Sequence, residues 1–292
     1  MSKLDGYHIM RNTSQISRHF NCGALAMKIL ATDLHKYGSN IPLTVTAIGD
    51  GCFDKCETLE SFTIPSNVNS IGRFCFRDCS SLSNVMIPSI ITSLGSLCFS
   101  ECTSLSSVVI PFCVPLFGYH CFCWCSSLSS ITIPTSVTSL GGECFLGCTS
   151  LISVDIPSSV SFIAYRCFGE CYSLTSVTIP SSVSSLEKGC FDECEKLSGV
   201  TIPSSVISLD DFCFCCCRSL SDVTIPSSLS LLPYNCFEKC DNLSSVIIPS
   251  SVTSIKSDCF VECPRLSSLT IPRSVQNFND HWYSSNTIIH YE

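Results

Sequence analysis

Leu151-Ile-Ser-Val-Asp-Ile-Pro-Ser-Ser-Val-Ser-Phe-Ile-Ala-Tyr-Arg-Cys-Phe-Gly-Glu-Cys-Tyr-Ser173 decides the fold, because the chain spells it again on both sides. Its proline belongs to a series, Pro42, Pro65, Pro88, Pro111, Pro134, Pro157, Pro180, Pro203, Pro226, Pro249 and Pro272, in which every interval is 23 residues. Its Cys-Phe pair belongs to another that runs in step from Cys52-Phe53 to Cys259-Phe260. A further Cys follows three residues after each Phe, from Cys56 to Cys263, and a Leu column runs from Leu59 to Leu266. A fixed period of this length marks a solenoid of stacked units, and ten units without an insertion leave no room for a second domain.

Within one unit, Leu151, Val154 and Ile156 have the Leu-x-x-Leu-x-Leu spacing of a short strand that turns its second and third apolar side chains inward. Strands of successive units then pair in parallel. Proline after the Ile has no N–H for a ladder, which suits a strand end. The rest of the unit lacks alternation; its Val-x-x-Ile and Cys-Phe-x-x-Cys spacings predict a turn followed by about one helical turn. The expected fold is therefore an α/β-type leucine-rich repeat of 23-residue units, with a concave parallel sheet and short helical or 3-10 turns on the other side. Core columns run through Cys52, Phe53, Cys56 and Leu59, through Cys144, Phe145, Cys148 and Leu151, and through Cys259, Phe260, Cys263 and Leu266. Burying each Phe contributes about 1.5–3 kcal/mol, and end units must differ because stability comes from stacked neighbours. Residues 1–40 are read as an N-terminal segment with a capping helix over Ala24 to Leu34, where Leu25, Ile29, Leu30 and Leu34 have helical spacing. Residues 41–278 form the solenoid and 279–292 a degenerate capping repeat, with Trp282-Tyr283 in the Cys-Phe slot, Asn286 in the second Cys slot and Ile289 in the Leu column.

Composition narrows the function. The 292-residue chain is 45% hydrophobic and 14% charged, with a formal charge of −8, which disfavours nucleic acid and anionic membrane as partners. No apolar run is long enough for a membrane span. Met1 to Met10 lacks the features of a secretory signal, so the 25 cysteines are expected as reduced thiols, small apolar fillers between stacked units. Strand-like spacing would also bring neighbouring Cα atoms within disulfide reach.

The pattern Leu-x-x-Val-x-Ile-Pro-x-x-Val-x-x-Ile-Gly-x-x-Cys-Phe-x-x-Cys resembles the BspA-like, or treponemal, class of leucine-rich repeats over about residues 41 to 289. Cys-Phe in place of the more usual Ala-Phe, and the opening Leu4 to Met10, are similar to the amoebic members. The resemblance implies a protein-interaction solenoid, often a surface antigen or adhesin, and carries over no ligand or catalytic residue.

The outward strand positions are mostly Ser and Thr, as at Ser129, Ser130 and Thr132, and read as a solvated sheet poor in the Trp, Tyr and Arg of binding hot spots. Units differ most in the two residues before each Cys-Phe and the two inside Cys-Phe-x-x-Cys. The candidate partner surface there is Tyr119, His120, Trp124, Tyr165 and Arg166, although unconstrained surface drift would give the same pattern. His120-Cys-Phe-Cys-Trp-Cys125 and Cys213-Phe-Cys-Cys-Cys217 have soft ligands suited to zinc. Register places Cys121, Cys125, Cys213 and Cys217 in the inward columns, with Cys123 and Cys215 in one outward slot four units apart, so no metal is expected, only adventitious zinc or oxidation at exposed Cys123, Cys215 or Cys216. No nucleotide-loop, His-Glu-x-x-His or Gly-x-Ser-x-Gly motif occurs, so no enzyme and no cofactor are expected. The leading expectation is a cytoplasmic scaffold for a protein partner; the alternative is a cell-surface antigen reaching the plasma membrane by a non-classical route. End-to-end association of copies is expected if Trp282 and Tyr283 are exposed.

Overall fold

A computed structural model of the chain describes residues 27–29, 41, 44–275 and 282–292. Alternation makes the first strand of each unit: Val154 is buried between exposed Ser153 and Asp155. Ser153–Asp155 pairs in parallel with Ser176–Thr178 on one side and Ser130–Thr132 on the other, each at an offset of 23 residues. The proline then ends the strand and closes a turn, its carbonyl accepting from the Val three residues on, as Val160 N–H to Pro157 O at 3.0 Å. A second parallel ladder, which alternation did not predict, follows in each unit: Phe162–Ile163 pairs with Ser185–Leu186, and that strand with Ser208–Leu209. The chain is thus a parallel β-solenoid of stacked coils.

The expected helical turn is absent; no helix occurs among the described residues. The reason is visible in the backbone hydrogen bonds of Glu143 to Cys148, where donors alternate. Glu143, Phe145 and Gly147 N–H donate to Tyr165, Cys167 and Gly169 of the next coil at 2.7–2.9 Å, while Cys144, Leu146 and Cys148 N–H donate to the carbonyl three residues back and close four-residue turns within the coil at 3.1–3.2 Å. A helix would send every donor back four residues along its own strand. The residue before each Cys breaks that path by adopting a left-handed conformation, as at Glu143 (φ 56°) and Gly147 (φ 69°). Non-glycine residues are uncommon in that region, yet Lys55, Asp78, Trp124 and Glu170 all occupy it, because each φ turns an N–H toward the neighbouring coil.

The core is built of columns. Rings from Phe76 to Phe260 stack with centroids 5.3–5.6 Å apart and planes within 2–8°. The second Cys of each coil is held by a recurring bond: Cys102 Sγ donates to Phe76 O at 3.0 Å, Cys148 to Phe122 O at 3.2 Å, and Cys263 to Phe237 O at 3.1 Å. Free thiols fit this geometry because S–H is the donor. Cys56 and Leu59, expected in the core, are only partly buried, since they lie in the first coil of these columns. Hydroxyls explain the serine content: Ser182 Oγ donates to Val160 O at 2.6 Å and Ser221 Oγ to Ser198 O at 3.1 Å, each satisfying a carbonyl of the preceding coil.

The ends depart from expectation. Met27–Ile29, inside the expected capping helix, is a strand paired in parallel with Val45–Ile48; the other residues of Ala24 to Leu34 and the rest of 1–40 lie outside the described residues, as do Cys22 and Pro42. Trp282 takes the expected Cys slot, its carbonyl receiving Phe260 N–H at 2.7 Å, and Tyr283 bridges to Phe260. Beyond that the register shortens: Ile289 pairs with Leu269, not the Leu column, and Thr287 Oγ1 bonds Leu266 O at 2.8 Å. Trp282 is buried and meets Phe260 edge-on at 6.5 Å, so the exposed aromatic face on which end-to-end association was premised is not formed by Trp282. Part of the 279–292 repeat, including His281, lies outside the described residues.

Candidate interaction surface

The left-handed residue and its predecessor stand before each Cys of a coil, and neighbouring coils decide whether their side chains are covered, as at Cys123, or exposed, as at Tyr119 and Trp124. The Tyr119 ring lies over Gly142: a Cβ there would fall 2.5 Å from Tyr119 Cε2, with the Tyr165 carbonyl oxygen 3.5 Å away. Trp124 lies over Gly147 in the same way, 2.5 Å from a Cβ built on it. Glycine in the next coil therefore makes room for the Tyr119 and Trp124 rings while leaving them exposed, as Tyr165 is also. His120 and Arg166 are occupied locally. His120 Nε2 is 3.1 Å from Glu143 Oε2 and its ring meets Tyr119 edge-on at 4.1 Å; the Arg166 guanidinium is 2.7 Å from Glu170 and 3.6 Å from Asp192.

Sequence reasoning passed over a second surface. Val109 is 82% exposed, Phe112 79% and Met86 61%, with Ile90 also exposed. Met86 and Val109 are consecutive members of a strand column that holds Thr132, Thr178 and Thr201 further along. The first ladder is interrupted there: Asn84–Met86 pairs with Ser61–Thr63, Ser130–Thr132 with Ser153–Asp155, and between them only a Val109 to Thr132 bridge remains. The available signal was Pro111-Phe-Cys-Val-Pro115 in place of Pro-Ser-Ser-Val, since the position after the strand-ending proline is held by Ser or Thr in most other coils and the Phe112 side chain there is left exposed.

Burial corrects the expectation of exposed cysteines. Cys123 is 3% and Cys215 6% exposed, with Cys216 half-buried. Cys215 Sγ is 3.6 Å from Cys216 Sγ and 3.9 Å from Glu238 Oε2, and both thiols lie close to the Asp192 carboxylate. Burial pushes the Asp192 carboxyl up to about 6, against the pull of Arg166.

Stacked parallel coils at a 23-residue period, bounded by Leu, Ile and Phe columns, define the class: a leucine-rich repeat solenoid. The model of the BspA type leucine rich repeat region matches residues 46–175 and 161–290, and the chain belongs to that family, generally one of non-enzymatic scaffolds compatible with protein binding. A leucine rich cell surface protein of Faecalibacterium prausnitzii is similar at 28% identity and TM-score 0.53, over 85% of this chain and 83% of that one. A leucine-rich repeat protein of Bacteroides ovatus shares the fold at 22% identity and TM-score 0.54, over 85% of this chain and 88% of its own. No curated protein matches the sequence. No helix among the described residues is long and apolar enough to cross a membrane.

Proposed function

We propose that the protein is a non-enzymatic scaffold that binds another protein through the sheet-side patch of Met86, Ile90, Val109 and Phe112. The carrying observation is the exposure of Val109 and Phe112 beside an interrupted strand ladder, because large apolar side chains exposed together on successive coils mark a binding site. The exposed rings of Tyr119, Trp124 and Tyr165, the first two seated on glycines of the next coil, are a second surface, favoured because aromatic anchors dominate interface energetics and rings already ordered lose little entropy on binding. Crosslinking and affinity capture from native lysate test the reading. A partner retained by the wild type and by Tyr119→Ala/Trp124→Ala, but lost with Val109→Ser/Phe112→Ser, supports the sheet-side patch; a partner retained by both variants, or no partner in repeated capture, overturns it.

The thiol-to-carbonyl bonds of the second Cys column favour a reducing, cytoplasmic compartment. The alternative, a surface antigen reaching the plasma membrane without a classical signal, draws support from the printed description of the Faecalibacterium protein as a cell surface protein. Antibody labelling of intact, unpermeabilised cells separates the two: an accessible epitope favours the surface reading and its absence removes it.

A further inference from the structure

The outward slot between each Phe and the left-handed residue is a column of its own. In three successive coils it holds Asp192, Cys215 and Glu238, 23 residues apart, and Cys216 stands beside Cys215. Side chains in this column do touch across coils: Arg77 and Asp54, one period apart in the same slot, form a two-point ion pair at 2.8 Å. The left-handed φ of Cys216 (58°) accompanies a geometry in which its thiol approaches that of its immediate neighbour, Sγ to Sγ 3.6 Å. Ligand atoms of Asp192, Cys215 and Cys216 all lie within 4.8 Å of one another, the one such group of three among the described residues. Glu238 Oε2, 3.9 Å from Cys215 Sγ, lies beside that group but outside its 4.8 Å spacing, and becomes a fourth ligand if its side chain moves toward the thiols.

Two thiolates bound to zinc at about 2.3 Å in a tetrahedral arrangement stand roughly 3.8 Å apart, close to the 3.6 Å found between Cys215 and Cys216. Two sulfur and two oxygen donors suit zinc better than calcium or magnesium, which take oxygen alone. The surrounding charges also fit. Two thiolates and two carboxylates around a dication leave a charge of −2, and two cations already pair with the carboxylate ligands: Arg166 with Asp192 at 3.6 Å and Lys239 with Glu238 at 3.1 Å. Asn235 Nδ2 donates to Glu238 Oε2 at 2.6 Å, orienting that carboxylate as outer partners orient metal ligands.

We propose that Cys215 and Cys216, with Asp192 and Glu238 from the adjoining coils, form a site for one zinc-like divalent ion. The ligand set joins three coils, which neither the Cys213 to Cys217 run alone nor a pairing with Cys123 achieves. On binding, each of the two S–H groups releases its proton to solvent as a sulfur–metal bond forms, with no change of oxidation state.

The test uses the full chain, reduced and handled without oxygen, titrated with cobalt(II) as the spectroscopic probe and then with zinc(II). One equivalent of cobalt should produce a thiolate-to-metal charge-transfer band with tetrahedral visible bands, and zinc should remove them. Cys216→Ser, at a half-buried position where folding is retained by circular dichroism, should weaken binding by more than the ~10–100-fold typical of losing an outer partner. Asp192→Asn should weaken it also, whereas Cys123→Ser should leave it unchanged. Absence of the band, its survival in Cys216→Ser, its loss in Cys123→Ser, or a Cys215–Cys216 disulfide in the freshly isolated protein would overturn the site.

Discussion

Raising the pH should unfold this protein through its buried thiols. Cys75, Cys98, Cys121, Cys144, Cys167, Cys190, Cys236 and Cys259 have no solvent exposure. Burial raises the pKa of each, because an apolar interior penalises the thiolate. In the unfolded chain the same groups ionise near pH ~8.5. The unfolded state therefore loses protons first: the thiol contribution is complete below that pH and is lost as the pH rises toward the folded values. Each thiol ionised only in the unfolded state costs about 0.4 kcal/mol at pH ~8.5 and about 1.4 kcal/mol one unit higher. These eight together remove roughly 3 kcal/mol at the first pH and roughly 11 at the second. A domain stable by ~5–15 kcal/mol should lose most of that stability by pH ~9.5, before Tyr and Lys titrate near ~10. Urea midpoints measured with reductant present, from neutral pH upward in half-unit steps, read the effect directly. A midpoint that stays flat over that range would refute the reasoning, because it would mean that the columns carry no ionisable thiols or that the unfolded chain does not expose them.

Phe168→Ala removes a fully buried ring stacked at 5.4 and 5.6 Å on its neighbours and should cost about 3–5 kcal/mol, whereas Phe112→Ala, at an exposed position, should change the unfolding free energy from urea titration by less than about 0.5 kcal/mol. Gly95→Ala would place a Cβ 2.5 Å from the Gly72 carbonyl, so calorimetry should show a loss of about 1–3 kcal/mol, while Ala164, in the same slot three coils on, already accommodates a Cβ. Brief alkylation of the native protein near neutral pH should label exposed Cys113 and spare Cys148 and Cys171, whose thiols burial holds protonated; peptide mass spectrometry checks it.

The columns were legible because each repeats one residue type at one interval, so Phe145, Cys148 and Leu151 could be assigned to the core by register alone. The helix was misread because Cys144 and Cys148 are four residues apart, a spacing that one helical face and two overlapping turns share. What separates them is the left-handed residue before each Cys. At Glu143, Trp124 or Glu170 no glycine announces it, and only Gly51, Gly147 and Gly189 carry the signal. The second ladder escaped because a strand of two residues, such as Ser185–Leu186, is too short to alternate. Tyr119 and Trp124 were recognisable as surface aromatics, but their glycine seats required knowing which side chain lies over which coil. The Asp192, Cys215 and Glu238 column is present in the register as well, but acids and thiols alternate in it without a repeated residue type, so the sequence does not mark it as one group.

The most direct measurement is a thiol count on protein denatured under alkylating conditions. Coils stacked on reduced cysteine columns, with the second Cys donating S–H to the Phe carbonyl of the neighbouring coil, predict a count near the full 25 cysteines of the chain. A count near five, the number outside the two columns, would mean that the columns are bridged and would contradict both the packing account and the reducing compartment.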